Sequence, residues 1–422
     1  MVRSLAFALL AVTACAIVCS AQDQPRTLSL AECIEIALRQ NPAIAQSEAG
    51  LESAHAGVSG ARSSFGPNVD FSASASNSRA TATGSASSWQ DRYSVSAGAS
   101  YPLYTGGRNE GRLAQAQASL TSAEASLVQQ QNSIAYQVKL AYFGVLRADA
   151  TVTAREKIKE RAQAVLGEAQ ARFDVGYSPK GDVLRADADL ASTELDLIRA
   201  RYDSQIARAS LLESMGLDPA GDIEPSEALD FVPREMDKSQ LLSEALRNRP
   251  ELAQTAAQIL TAEASLRIAK SGKLPSVSVS ASRGFSDDRF FPGSGSWSYG
   301  LSLSYPIFDA GSTRASKREA QAGIEQARAN DASYRQTISL EIEEAYLNAQ
   351  VASDSVGAAR KFVASATEAR EIAMGRYQVQ KGTLLEVTDA EATLASAELS
   401  EIQTYYDYMV ALAAVDQAVG RW

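Results

Sequence analysis

The chain repeats itself, and this constrains its fold more than any local motif. Adding 204 to the numbering carries Tyr101-Pro102 onto Tyr305-Pro306, Ala141-Tyr142 onto Ala345-Tyr346, Arg172-Phe173 onto Arg376-Tyr377 and Gly216 onto Gly420. Upstream the step is 208, taking Ala37-Leu38-Arg39 to Ala245-Leu246-Arg247, Pro42 to Pro250 and Pro67 to Pro275. The four-residue difference falls between Pro67 and Tyr101. Duplication on this scale means two copies of one structural unit in one polypeptide. The copies span 22–216 and 241–422, joined by a linker over 217–240 that carries Pro219, Pro225 and Pro233.

Proline placement outlines the elements. None occurs between Pro102 and Pro179, or after Pro306. A proline inside a helix costs about 3 kcal/mol, so long stretches without it that are rich in Ala, Gln, Glu and Arg are helix candidates. The pattern predicts a helix over 107–173, on the order of 100 Å long at 1.5 Å per residue. Leu113, Leu120, Leu127, Ile134 and Ala141 recur at coiled-coil spacing, with Val138, Val145 and Val152 on a neighbouring stripe. The second copy predicts its equivalent over 311–377. Half-length helices are expected over 43–62, 182–215, 251–270 and 386–419.

Two segments, 67–104 and 275–308, differ in kind. Val69, Phe71, Ala73 and Ala75 alternate with Asn68, Asp70, Ser72 and Ser74; Tyr93, Val95, Ala97 and Ala99 alternate with Ser94, Ser96 and Gly98. Val277, Val279 and Ala281, then Tyr299, Leu301 and Leu303, repeat the pattern. Period-two alternation with aromatic ends (Phe65, Trp89, Tyr101, Tyr104, Phe285, Trp297, Tyr305, Phe308) predicts membrane β-hairpins. Each copy supplies two strands. Four strands cannot enclose a lumen, and an open sheet in lipid leaves peptide groups unpaired. Several chains must share one barrel, and three would give twelve strands. The expected fold is therefore mainly α with a membrane β-barrel.

The remaining composition sets limits. Residues 1–21 read as an export signal, with Arg3 ahead of an apolar stretch and Ser20-Ala21 at the cleavage point. Val12-Thr13-Ala14-Cys15 offers a rival lipoprotein box, with lipidation at Cys15. After cleavage at Ala21 only Cys33 remains; its counterpart is Leu241, which marks it as a core residue. Fifty acidic against forty basic residues argue against nucleic acid. His55, the one histidine, has Glu263 as its counterpart, and no catalytic pair, cofactor loop or metal-ligand cluster stands at usable spacing. The chain is read as no enzyme and as needing no cofactor. A periplasmic coiled-coil spacer without channel activity is the alternative reading.

The residues resemble the TolC family of trimeric outer-membrane efflux and secretion channels over nearly the whole mature chain. The matches include Ala37-Leu38-x-x-Asn41-Pro42 with its echo Ala245-Leu246-x-x-Arg249-Pro250, and Lys273-Leu274-Pro275. Strand-to-helix joints match at Pro102, Gly106 and Gly107, and again at Pro306 and Gly311. The helix tips match most specifically: Arg172, Phe173, Gly176 and Asp182 in the first copy, Arg376, Tyr377, Thr383 and Glu386 in the second. Pro179 stands where Ser or Thr is usual. Gln380 replaces the usual glycine, and Gly382 is placed to do its turning.

The resemblance implies a homotrimer with a twelve-stranded barrel in outer-membrane lipid and a periplasmic tunnel of coiled helices, with no nucleic-acid partner. It would be the passive exit duct of a tripartite efflux pump or type I secretion system. The tip turns, Arg172, Phe173, Gly176, Asp182, Arg376, Gly382 and Thr383, would meet a periplasmic adaptor (membrane fusion) protein that links the duct to an inner-membrane transporter. Glu386 and Asp389 match acids that ring the narrowest point, and Tyr377 matches a tether of the closed state. The family's basic tether residue falls where Gly382 stands. A plain role for the two acids, favouring a helix N-terminus, stays open. The linker matches a segment that wraps the tunnel as a collar; a solvated linker would read the same.

Overall fold

The structure, a computed structural model, describes residues 26–80, 88–227, 231–290, 293 and 295–421. The expected export signal over 1–21, Cys15 within it, and most of the turn between the first two long strands lie outside the described residues. In chain order the elements are β1 (Arg26–Leu28), α1 (Leu30–Gln40), α2 (Pro42–Ser63), β2 (Asn68–Ala80), β3 (Ser88–Tyr104), α3 (Arg108–Asp174) and α4 (Lys180–Ser214). There follow β4 (Ile223–Pro225), α5 (Lys238–Asn248), α6 (Pro250–Ser271), β5 (Ser276–Asp287), β6 (Gly295–Ser304), α7 (Ser312–Gln378) and α8 (Leu384–Val419). The second half repeats the first, and α3 and α7 have 67 residues each. The second hairpin is shorter than expected: β6 ends at Ser304, and Tyr305–Phe308 lie beyond it.

The chain divides into two compact units. One comprises Met1–Asn41, Gln137–Pro233 and Ala352–Val410; the other comprises Pro42–Tyr136, Arg234–Val351 and Ala411–Trp422.

The second unit carries a sheet of order β2-β3-β5-β6, antiparallel throughout. Register puts Val69 opposite Ala99, Phe71 opposite Ala97, Tyr101 opposite Val279, and Val279 opposite Leu301. One face is thus largely apolar, with Arg283 set among it opposite Ala97 and Trp297, and Phe71, Trp297, Leu301 and Leu303 are each about 70% exposed (72%, 74%, 71% and 68%). A contiguous exposed apolar face of this kind requires a cover, protein or lipid. The other face is a serine ladder: Ser72 and Ser96, Ser74 and Ser94, and Ser282 and Ser298 approach within 2.8, 2.8 and 2.9 Å. Among the described residues β2 and β6 each pair on one side only.

The joints above α3 and α7 need positive φ. Gly106 and Gly107 take +65° and +83°, and Ala310 and Gly311 repeat this at +49° and +89°. A Cβ on Gly106 would lie 2.9 Å from that of Leu274, so glycine there serves close approach as well. At the second joint Asp309 accepts from the amides of Gly311 (3.1 Å) and Thr313 (3.0 Å). The Thr313 side chain and these amides hold its carboxyl down at about 2.

The first unit holds a buried seam. Tyr142 is fully buried and donates to the Leu28 carbonyl at 3.3 Å, beside Cys33, whose thiol burial pushes up to about 11. Cys33 is a free core thiol. The described part of the linker, most of whose side chains are exposed, is tied to the first unit at two points: β4 pairs in parallel with β1, and Tyr408 donates to the Val232 carbonyl at 3.0 Å. Phe231 packs against the Tyr408 ring at 4.8 Å. Along α3 within this unit Val138 and Val145 are fully buried; in the part of α3 that belongs to the second unit Ala118 and Ala125 are buried while Leu113, Leu120 and Leu127 are half-buried. Alanine lets helix axes approach closely.

Candidate functional site

The helix tips lie together in the first unit, around a small core of Val165, Ala169, Ala186, Tyr377, Leu384 and Val387. Each long helix ends in a Schellman closure, an amide bonding back across the last turn. Tyr177 donates to the Arg172 carbonyl at 2.8 Å with Gly176 at φ +79°. Lys381 donates to the Arg376 carbonyl at 2.8 Å, and here Gln380 itself takes φ +59°. This corrects the expectation that Gly382 does the turning. Gly382 instead allows close approach, its would-be Cβ lying 3.2 Å from the Arg376 Cβ and the Tyr377 nitrogen. A non-glycine residue in the left-handed region costs roughly 1–2 kcal/mol. Gln380→Gly is therefore expected to stabilise the tip by about 1 kcal/mol, read as a higher Tm of the purified protein. An unchanged or lower Tm would contradict the strain.

Arg172 ties the two tips together. Its Nη2 donates to the Gln378 carbonyl at 2.9 Å, and its guanidinium carbon sits 4.3 Å from the centre of the Tyr377 ring. Nε donates to Glu168 at 2.8 Å. Tyr377 is buried, and burial pushes its phenol above the ordinary value. Asp182 accepts from the Ser178 hydroxyl at 2.6 Å in the first turn of α4; Phe173 is exposed.

Thr383 caps α8, its hydroxyl accepting from the Glu386 amide at 3.3 Å. The Glu386 carboxylate lies 3.5 Å from Arg376 Nη1, so part of its charge is balanced within the chain. Asp389 lines an open groove of about 410 Å³ with Arg155, Arg185 and Glu391. The two acids thus sit in the first two turns of α8, where a helix N-terminus favours them.

A charge cluster that sequence reading missed lies farther along α3. Arg161 meets Glu398 at 2.6 and 3.0 Å through two nitrogens and Glu391 at 3.1 Å through Nε. Arg370 meets the other oxygen of Glu391 at 2.6 Å. The four side chains are 15–25% exposed, and they bind α3, α7 and α8 into one network. Burial works against the Arg161 charge, but the two carboxylates outweigh it and raise its pKa. Adding 204 places Ser365 opposite Arg161, so the repeat held no signal for it.

The fold has counterparts among known proteins. The pattern of the family described as outer membrane efflux protein matches residues 33–217 and 241–421. The chain belongs to that family, which consists of channel proteins of the outer membrane. It is 25% identical over 388 residues to outer membrane efflux protein BepC of Brucella suis biovar 1 (strain 1330), covering 91% of this chain and 84% of that one. It is 28% identical over 384 residues to protein CyaE of Bordetella pertussis, covering 89% and 80%. Its fold matches that of the outer-membrane channel OprN with a TM-score of 0.80 at 24% identity, over 95% of this chain and 94% of the other.

Proposed function

We propose that three copies of this chain form the passive exit duct of a tripartite efflux pump or secretion system. One observation carries the reading: a four-stranded antiparallel sheet, apolar on one face and hydroxyl-lined on the other, with β2 and β6 each paired on one side only. In lipid those edges must be covered. Because strand direction alternates across β2-β3-β5-β6, β6 of one copy meets β2 of the next antiparallel, and three copies close a barrel of twelve strands. The serine face then lines water. The helical tips face a periplasmic adaptor, with an inner-membrane transporter supplying the energy, and the linker forms a collar. A spacer without channel activity has no use for such a sheet. Outer-membrane extracts should yield a heat-dissociable oligomer that conducts in planar bilayers. A water-soluble monomer without conductance would end the proposal.

At the tips, Glu386 and Asp389 from three copies surround the axis and attract cations. Arg376 pairs with Glu386, whereas no ion pair engages Asp389 among the described residues, so Asp389 contributes more to the field. We expect Asp389→Ala to weaken divalent-cation block of conductance roughly ten-fold, about 1.4 kcal/mol, Glu386→Ala to weaken it less, and the double variant to weaken it most. Unchanged block in the double variant would remove both acids from the constriction.

A further inference from the structure

Charge enters the apolar face of the sheet at Arg283. The side chain is exposed, opposite Ala97 on β3 and Trp297 on β6. Its guanidinium carbon lies 5.4 Å from the centre of the Phe285 ring, and Trp297 stacks on Tyr299 at 5.3 Å. Among the described residues no hydrogen bond or ion pair engages the Arg283 guanidinium. Arg79 repeats the arrangement on the same face of β2, 5.8 Å from the centre of the Trp89 ring.

The charges of this face gather toward the turn ends of the strands, and Arg283 reaches deepest. It lies seven residues past the start of β5, against eleven past the start of β2 for Arg79. Seven residues are about 23 Å along a strand, or about 18 Å of membrane height at a tilt of about 40°. An apolar band about 25 Å tall therefore still surrounds the guanidinium. Nearer the helices, Val277, Val279 and Ala281 are the residues of β5 on this face. The repeat supplies an internal control. The positions corresponding to Arg283 and Trp297 are Ala75 and Tyr93, which also stand opposite each other. The first hairpin makes the same cross-strand pair without a charge, so strand pairing does not demand Arg283.

We propose that Arg283, flanked by Phe285 and Trp297, binds the phosphate of a membrane lipid in the leaflet around the turn ends. The site rests on the barrel reading, in which this face meets lipid. A cation facing hydrocarbon is unfavourable unless an opposite charge or water reaches it, and a lipid phosphate supplies that charge at this height. A guanidinium presents parallel N–H groups that match two phosphate oxygens. Aromatic rings gather where head groups meet acyl chains, and Trp297 and Tyr299, 74% and 76% exposed, offer flat apolar surface to the rest of the lipid. These apolar surroundings favour a lipid over a free anion.

The test uses the full-length oligomer in neutral detergent, washed free of lipid. It is titrated with diphosphoryl lipid A, with the same glycolipid stripped of its phosphates, and with inorganic phosphate, and bound lipid is counted by native mass spectrometry. Saturable binding of diphosphoryl lipid A is expected, roughly ten-fold weaker once the phosphates are removed, with no displacement by inorganic phosphate at equal concentration. Arg283→Gln should weaken the binding of diphosphoryl lipid A about ten-fold, and Arg283→Lys should weaken it less. Equal binding of the two glycolipids, or unchanged binding in Arg283→Gln, would overturn the site even where the oligomer conducts and the barrel stands. Displacement by inorganic phosphate would overturn the lipid and leave an anion site. A monomer that never enters lipid would remove the barrel and this site with it.

Discussion

Replacing Gly216 with alanine is expected to cost about 3 kcal/mol and to abolish the heat-dissociable oligomer, while the same change at Gly176 costs only about 1. Both glycines have nearly the same backbone, φ +77° and +79°. The difference is space. A Cβ at Gly216 would sit 2.8 Å from the Asn41 Cα and 2.9 Å from the Gln40 carbonyl oxygen, whereas nothing lies within 4 Å of one at Gly176. The residues pressed against Gly216 are themselves fixed, since Asn41 Nδ2 donates to the Ser214 carbonyl at 2.8 Å. The α1–α2 corner and the end of α4 cannot separate without losing that bond. Thermal melts of the two variants check the ranking; equal losses would show that backbone conformation alone sets the cost.

The second large effect is expected at Arg161. Arg161→Ala leaves Glu391 with Arg370 alone and Glu398 without the guanidinium that now binds it through two nitrogens. Removing one partner of a fully buried pair costs about 3–5 kcal/mol; with 15–23% exposure at these three groups, about 2 is the appropriate figure. Because the network joins α3 to α8, the loss should loosen α8, which bears Glu386 and Asp389, from the first-copy helices. The variant should show higher resting conductance in planar bilayers and a lower Tm. Arg161→Lys should restore only part of either, because lysine cannot bind a carboxylate through two parallel nitrogens. Unchanged conductance with a lowered Tm would confine the cluster to stability.

Gly382 cannot donate from a side chain where the family has a basic residue, and Arg172 reaches across to Tyr377 and Gln378 from the first tip instead. The family resemblance pointed to Tyr377 and to the gap at Gly382. It did not point to Arg172 as the residue that bridges them.

The helices were legible because proline and glycine punctuate them: Pro42 and Pro250 open α2 and α6, and the ends of α3 and α7 lie within a residue or two of their expected places. The strands were legible because alternation has a period that no helix shares. The heptad reading of α3 located the helix and, at Ile134, Val138 and Val145, a buried face, but Leu113, Leu120 and Leu127 are only half-buried, since leucines and alanines both recur every seven residues and only packing decides which is covered. Gln380 was misread because an expected glycine had a neighbour two positions on. Its actual conformation is set by closure of the preceding helix turn.

From its sequence alone, this protein was determined to be a duplicated, helix-rich chain with two membrane-type hairpins and acids near the second tip. Those features rest on local periodicity, backbone preference and repetition, which a one-dimensional string contains. Tertiary structure decided the rest: Val95 opposite Phe285 across the two hairpins, and Arg161 against carboxylates 230 and 237 residues away. Such pairings depend on which faces meet after the helices pack. Coulomb and steric forces act through space over a few ångströms, whatever the separation along the chain.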